Sequence, residues 1–245
     1  MTHAQTTYKE LKQIEGVPFD KFLMEVLSSY QFLFVVVYDT EANILFASKQ
    51  VAQAYGFKDT NEFVGRNLHE FVDHDWLNER INIFRLAIEN DEKMGLLEIF
   101  NGNRIFTRFI PLCYESEGKR VERILLIAEQ IDKAMYQKLT ENCNRLLTAQ
   151  YNELGELDVL SVRELEVLAL MGQGMRTREI AQELCRSEST IMNHRDRIGQ
   201  KLKVSDRSEL IMKADRAVLQ IEDAHRNRVR FFQKPRDESE LADED

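Results

Sequence analysis

Residues 160–214, "LSVRELEVLALMGQGMRTREIAQELCRSESTIMNHRDRIGQKLKVSDRSELIMKA", constrain the fold more than any other stretch, because their helix starts and stops are written in local chemistry. Ser161 and Glu164 have the spacing of a capping box, in which a hydroxyl and a carboxylate each accept an orphan backbone N–H. They open a helix with Leu165, Leu168 and Met171 on its apolar side, and Gly172 and Gly174 stop it. Thr177 reads as the cap of a short second helix, 178–184, that buries Ile180, Ala181 and Leu184. "CRS" is then a tight turn, and Ser187 caps a third helix with Ile191, Ile198 and Leu202 inside and His194 at the edge. Ser205 reads as the cap of a fourth helix, with Leu210, Ala214, Ala217 and Ile221 on one face. That face is expected to be exposed in a monomer and to suit a second copy.

Helix, short turn, helix is the arrangement that lays the second of the two helices in a DNA major groove. Here its outer side carries Met192, Asn193, Asp196 and Gln200. Asparagine pairs bidentately with adenine, a methionine presses on a thymine methyl, and a carboxylate accepts from cytosine N4, so the face has base-reading chemistry. Charge agrees only locally. The chain carries a net −9, yet residues 160–214 hold 10 Lys+Arg against 8 Asp+Glu, so binding cannot rest on bulk electrostatics. Asp196 is the anomaly, because no cation stands three or four residues from it. It reads cytosine, or pairs with Arg176, Arg178 or Arg186 of the second helix, or weakens the binding of a domain that needs dimerisation.

With Leu160, Arg163-Glu164, Gly174, Glu179-Ile180-Ala181, Leu184, Ser187, Thr190-Ile191, His194, Ile198, Lys201-Leu202, Val204, Arg207 and Leu210, the segment resembles the LuxR-type (GerE- or NarL-type) four-helix DNA-binding domain. The resemblance implies a dimeric transcription regulator, with phosphate contacts from the positions of Arg178, Thr190 and Lys201 and base contacts from those of Met192, Asn193 and Asp196. Ser189, His194 and Arg197 complete the expected DNA-binding set. In the family the positions of Met192 and Asp196 often hold Lys or Arg, so this chain departs from the pattern there.

The N-terminal half reads differently. "PFDKFLMEVLSSY" has helical spacing, and "QFLFVVVYD" and "NILFASK" form a hairpin turned by Asp39 and Asn43. Helical material over 51–90 precedes three strands, "MGLLEIF", "NRIFTRFIPLCYE" and "VERILLIAEQI". The expected α+β domain is a five-stranded antiparallel sheet with helices on one face. This order, with "YGFKDTNEFVGRNLHEFVDHDWLNERINIFRLAIEN", resembles a PAS domain over residues 18–130. The resemblance implies a sensory or dimerising module whose pocket ligand is unknown. The photoreactive flavin branch carries Gly-Arg-Asn-Cys, but here Gly65, Arg66 and Asn67 are followed by Leu68, so no covalent flavin adduct is expected. His69 and His74 lie in a polar stretch that suits surface roles better than haem ligation, and Phe71, Trp76, Phe84 and Ile88 read as core.

Residues 131–158 read as a connecting helix, with Met135, Leu139, Asn142, Cys143, Leu146, Ala149 and Leu154 on one stripe that suits a short coiled coil between two copies. Residues 159–222 form the all-α helix-turn-helix domain. Residues 223–245, basic "HRNRVRFFQKPR" followed by acidic "DESELADED", read as a flexible charged tail. The three cysteines are far apart without a CxxC pair, which argues against a zinc site or a disulfide framework and fits a reducing cytoplasm. No apolar run approaches the roughly 18 residues of a membrane span. No nucleophile–base pair, metal cluster or phosphate loop suggests an enzyme. The expectation is a cytoplasmic, homodimeric regulator that binds promoter DNA, with RNA polymerase as a further candidate partner. The alternative is a protein-interaction module whose helix-turn-helix domain has lost productive DNA affinity.

Overall fold

The computed structural model describes residues 33–116, 118–142 and 145–230, and the leading helix expected at 18–30 lies outside them. Strands β1 (Leu33–Asp39), β2 (Ile44–Ala47), β3 (Met94–Phe100), β4 (Asn103–Ser116) and β5 (Lys119–Gln130) follow the sequence pattern. The expected five-stranded sheet has six strands, ordered β2-β1-β5-β4-β3-β6. The sixth is β6 (Leu146–Thr148), an edge strand too short to carry a periodicity of its own. The described residues divide into two compact units, one of residues 33–95 and 107–129, the other of 96–106 and 130–230.

In the first unit β1 pairs antiparallel with β2 and with β5, where Val35 faces Ile127 and Val37 faces Leu125. The β1–β2 turn is closed by Asp39, whose Oδ1 accepts from the N–H groups of Glu41 at 3.0 Å and Asn43 at 2.8 Å. Helix α1 (Lys49–Ala54) and two short 3-10 turns lead to α2 (His74–Asn90), which is capped by Asp73. Trp76, Leu77, Ile83, Phe84, Ala87 and Ile88 are buried at helical spacing. Phe84 stacks on Tyr38 of β1 with centroids 5.6 Å apart and lies 5.8 Å from Phe109 of β4, so α2 covers that face of the sheet. Beside it Tyr55, Phe57, Phe63 and Phe71 form a ring cluster, with Phe63 and Phe71 wholly buried. Leu68, at the place of the flavin-reactive thiol, is also buried. His69 and His74 are exposed, bonded to Asn67 and Asn78 respectively.

In the second unit the expected connecting helix over 131–158 is corrected. Helix α3 spans only Lys133–Asn142, and β6, β7 (Tyr151–Asn152) and a 3-10 turn at Gly155–Val159 follow it. Part of the apolar stripe that suggested a coiled coil is committed within the chain: Leu139 and Leu146 pack with Tyr136 on Leu97, Phe106 and Ile131, and Ala149 and Leu154 are buried, while Met135 is 39% exposed. Backbone bonds from Ala149 N–H to the Leu97 carbonyl and from Glu153 N–H to the Ile99 carbonyl, both 2.9 Å, explain why extended structure prevails there. Cys143 lies outside the described residues.

Helices α4 (Val162–Gly172), α5 (Thr177–Glu183), α6 (Glu188–Leu202) and α7 (Arg207–Arg216) make the expected four-helix array. Helix α4 is its centre, with every residue from Glu164 to Met171 buried. The expectation that the α7 face suits a second copy is also corrected. Leu210, Ala214 and Ala217 are buried against α4, close enough that a Cβ at Gly172 would lie 2.7 Å from the Ala214 Cβ.

Of the expected tail, residues 223–230 are described, and they are structured. A 3-10 turn, Ile221–His225, precedes β8 (Asn227–Arg228), which pairs in parallel with β7. The basic residues of this stretch hold backbone carbonyls: Arg226 that of Ala149 at 2.7 Å, and Arg228 those of Asp158 at 3.1 Å and Leu160 at 2.7 Å. Arg104 of β4, 1% exposed, donates to the carboxylate of Asp223 and to the carbonyls of Ala217 and Val218 at 3.2 Å. No helix among the described residues is long and apolar enough to cross a membrane.

Candidate nucleic-acid interface

The site is built on α4. Its capping box is present, with Ser161 Oγ accepting from Glu164 N–H at 3.3 Å and Glu164 Oε2 accepting from Ser161 N–H at 2.7 Å. Glu164 also holds Lys201 of α6, Nζ to Oε2 at 2.6 Å, so one buried carboxylate caps the first helix and fastens the third. Burial alone raises the Glu164 carboxyl, but hydrogen bonds from Lys201 and from the backbone and hydroxyl of Ser161 outweigh it, and the net shift is below 4.5.

A carboxyl depressed in the folded state stabilises the fold fully above its unfolded value, and that contribution is lost as pH falls through the folded value. We expect the melting temperature of Glu164→Gln to fall less than that of wild type between pH 5 and pH 3. Melting curves that decline in parallel over that range would show that the pair does not govern the acid limb.

The second helix starts one residue earlier than the sequence suggests. Arg176 is the N-cap, and its N–H is taken by Glu179 at 2.6 Å. The Thr177 hydroxyl instead accepts from the Arg195 guanidinium at 2.9 Å and so ties α5 to α6. The turn is made by Cys185 in the left-handed region, φ 51°, and Ser187 caps α6 by accepting from Thr190 N–H at 3.1 Å. For α7 the cap is Asp206 rather than Ser205, accepting from Ser208 N–H at 3.0 Å.

Helix α6 buries Ile191 and Ile198. Ser189, Met192, Asn193, Asp196 and Gln200 follow the complementary spacing, and all are exposed. Met192 is 56% exposed, which is unusual for so apolar a side chain. Arg178 on α5 and Arg197 on α6 are exposed as well. Three expected contact residues are placed less freely. Lys201 faces Glu164, and the half-buried Thr190 exchanges a hydroxyl hydrogen bond with Ser187 at 2.8 Å. The third, His194, has a buried Nδ1 with no hydrogen-bond partner among the described residues. Burial lowers its pKa, Glu164 opposes this, and Arg197, Arg163 and Arg186 act with burial, so the neutral ring is favoured.

Asp196 has no ion pair or hydrogen bond among the described residues, so no second-helix arginine holds it there. Sequence reasoning passed over the part played by Thr177 and by Lys203. The second follows the last helical residue in a left-handed conformation, φ 55°, a position more usual for glycine or asparagine.

A short capped helix held by a tight turn against a longer one with an exposed outer face is the helix-turn-helix arrangement. Residues 158–214 match the family described as bacterial regulatory proteins, luxR family. Over 54 residues the chain is 44% identical to the spore germination protein GerE of Bacillus subtilis, a match covering 22% of this chain and 73% of GerE. The chain belongs to the LuxR family of bacterial regulatory proteins. It is also 38% identical over 84 residues to the transcriptional regulatory protein LnrK of Bacillus subtilis, covering 34% of this chain and 36% of LnrK. It thus spans about a third of that curated relative's length. Among solved structures, a ligand–DNA complex of VqmA from Vibrio cholerae has a TM-score of 0.48 and 17% identity, covering 87% of this chain and 97% of VqmA.

Proposed function

We propose that this LuxR-family regulator reads double-stranded promoter DNA through the outer face of α6, with Met192, Asn193 and Asp196 at the base edges. The observation that carries this reading is the exposure of all three on one helical face whose opposite side is locked to α4 through Ile191, Ile198 and Lys201. Arg178 and Arg197 supply phosphate contacts beside it, and Ser189 and Thr190 sit at the N-terminal turn, where backbone N–H groups favour an anion.

The first unit is proposed as a PAS-like signal-input module. Its support is the order of two strands, helices and three strands, with α2 on one face of the sheet. The ring cluster of Tyr55, Phe57, Phe63 and Phe71 fills space beside α2, so a small molecule entering there has to displace a ring. Of the two sequence arguments for a homodimer, the α7 face has its partner within the chain, whereas the α3 stripe is only partly covered, with Leu139 and Leu146 packed and Met135 39% exposed.

Of the three readings of Asp196, acceptance from a cytosine amino group is proposed. We expect Asp196→Asn to relax preference at one operator position by about 1–3 kcal/mol while leaving binding to unrelated duplex unchanged. Selection of bound sequences from a randomised duplex pool, with wild type and variant in parallel, makes the measurement. Identical preferences at every position would remove Asp196 from base reading. A wild-type chain that enriches no sequence at either low or moderate salt would refute the DNA-reading function itself.

A further inference from the structure

We infer that a DNA backbone phosphate is clamped by Lys203 and Arg207 in the cleft between the C-terminal end of α6 and the start of α7. This deepens the DNA-reading function proposed above and rests on it. The resemblance to the family set phosphate contacts at Arg178, Thr190 and Lys201; Lys203 and Arg207 were not among them.

Three observations lead here. The first is how the cations of the helix-turn-helix region are engaged. Lys201 is held by Glu164, Arg163 by Glu166 and the Leu184 carbonyl, Lys213 by Glu156, and Arg195 by Thr177. Lys203 and Arg207 are exposed and have no ion pair or side-chain hydrogen bond among the described residues. The second is shape. Both side chains line one cleft together with Ser205, and the walls of that cleft are drawn tight at Gly199, where an added Cβ would lie 2.7 Å from the Val204 carbonyl. Val204 N–H in turn donates to the Gly199 carbonyl at 2.8 Å, so the turn between the helices is fixed.

The third is continuity. Asp196 and Gln200 belong both to the base-reading face and to the lining of the cleft. A groove edge that meets Asp196 therefore brings the adjoining backbone to the cleft. Two free cations there offset the carboxylate that the reading face carries. This gives Asp196 a local neutralisation that its own helix lacks at the positions three and four residues away.

The test uses the full chain and a fluorescein-labelled duplex, with affinity followed by anisotropy over a range of KCl concentrations. Lys203→Asn removes the charge while tolerating the left-handed backbone, and Arg207→Gln removes the other charge from an exposed first turn. Each phosphate contact contributes about 0.9 to the slope of log affinity against log salt. The double variant is expected to lower that slope by about one, to bind every duplex about tenfold more weakly at low salt, and to keep its base preference. Lys203→Arg is expected to retain the wild-type slope, and circular dichroism melts of all variants verify folding. A slope and affinity equal to wild type in the folded double variant overturn the clamp, as does a loss confined to one base position. Absence of duplex binding by wild type is a separate result, and it overturns the DNA-reading function together with the clamp.

Discussion

Arg104→Ala is expected to lower the unfolding free energy of the second unit by about 3 kcal/mol, at the lower end of what breaking a buried ion pair costs. Arg104 and Asp223 are each about 1% exposed, so the loss leaves a carboxylate and the carbonyls of Ala217 and Val218 without their donor. Asp223 keeps the N–H of Gln220 at 2.9 Å and the Arg226 guanidinium at 3.6 Å, which holds the cost below the top of the range. The double change Arg104→Leu with Asp223→Leu is expected to recover much of the stability, because apolar replacement of both partners removes the stranded charge. Urea unfolding followed by ellipticity at 222 nm makes the comparison. A single variant within about 1 kcal/mol of wild type would show that the pair contributes no more than an exposed one.

Phe63→Ala has an expected cost of about 3–5 kcal/mol, now in the first unit. Its ring has no exposed surface and stands 5.2 Å from both Tyr55 and Phe57 and 5.6 Å from Phe71. Truncation therefore removes a large apolar side chain and several ring contacts at once, and the cavity left behind is lined by rigid aromatics that collapse poorly. Phe63→Leu refills most of the volume and should lose less than half as much. The chain has one tryptophan, Trp76, which is buried in the same unit, so its emission follows this transition specifically. An unfolding midpoint by tryptophan emission that Phe63→Ala leaves unmoved would mean that the cluster is loosely packed in solution. In that case the space is already open to a ligand.

Elements specified by neighbouring residues were legible in the sequence. The Ser161–Glu164 capping box, the Asp39 turn and the Ser187 cap all act across a few residues, and each is where its local pattern put it. Caps slipped by one residue at α5, where the Thr177 hydroxyl is taken by the Arg195 guanidinium, and at α7, where Ser205 and Asp206 offer the backbone competing acceptors. What was missed depends on distant partners. A three-residue edge strand such as β6 has no period to detect, and its stripe of apolar residues fits a helix equally well until Leu97 and Ile99 are known to lie beside it. The same holds for Arg104 and Asp223, 119 residues apart, and for the arginines of the C-terminal stretch. In composition they read as solvated charge, and only the fold reveals the carbonyls they serve. On the outer face of α6, exposure of Met192, Asn193 and Asp196 followed directly from helical period, whereas the engagement of Lys201 by Glu164 required a second helix to be in place.

The parallel pairing of Tyr151 with Asn227 and of Asn152 with Arg228 bears on how the chain is made as well as on how it rests. Everything from α4 to α7 lies between these two short strands, so the domain is a long loop joined at its base. Contacts of such wide sequence separation form late and slow the search for the native state. On a ribosome, the four helices emerge before the strand that joins the base and before the carboxylate that receives Arg104. The helix-turn-helix array thus awaits residues that follow it in the chain, and a chain interrupted between Arg216 and Asn227 is made with α6 intact but the ends of its domain unjoined.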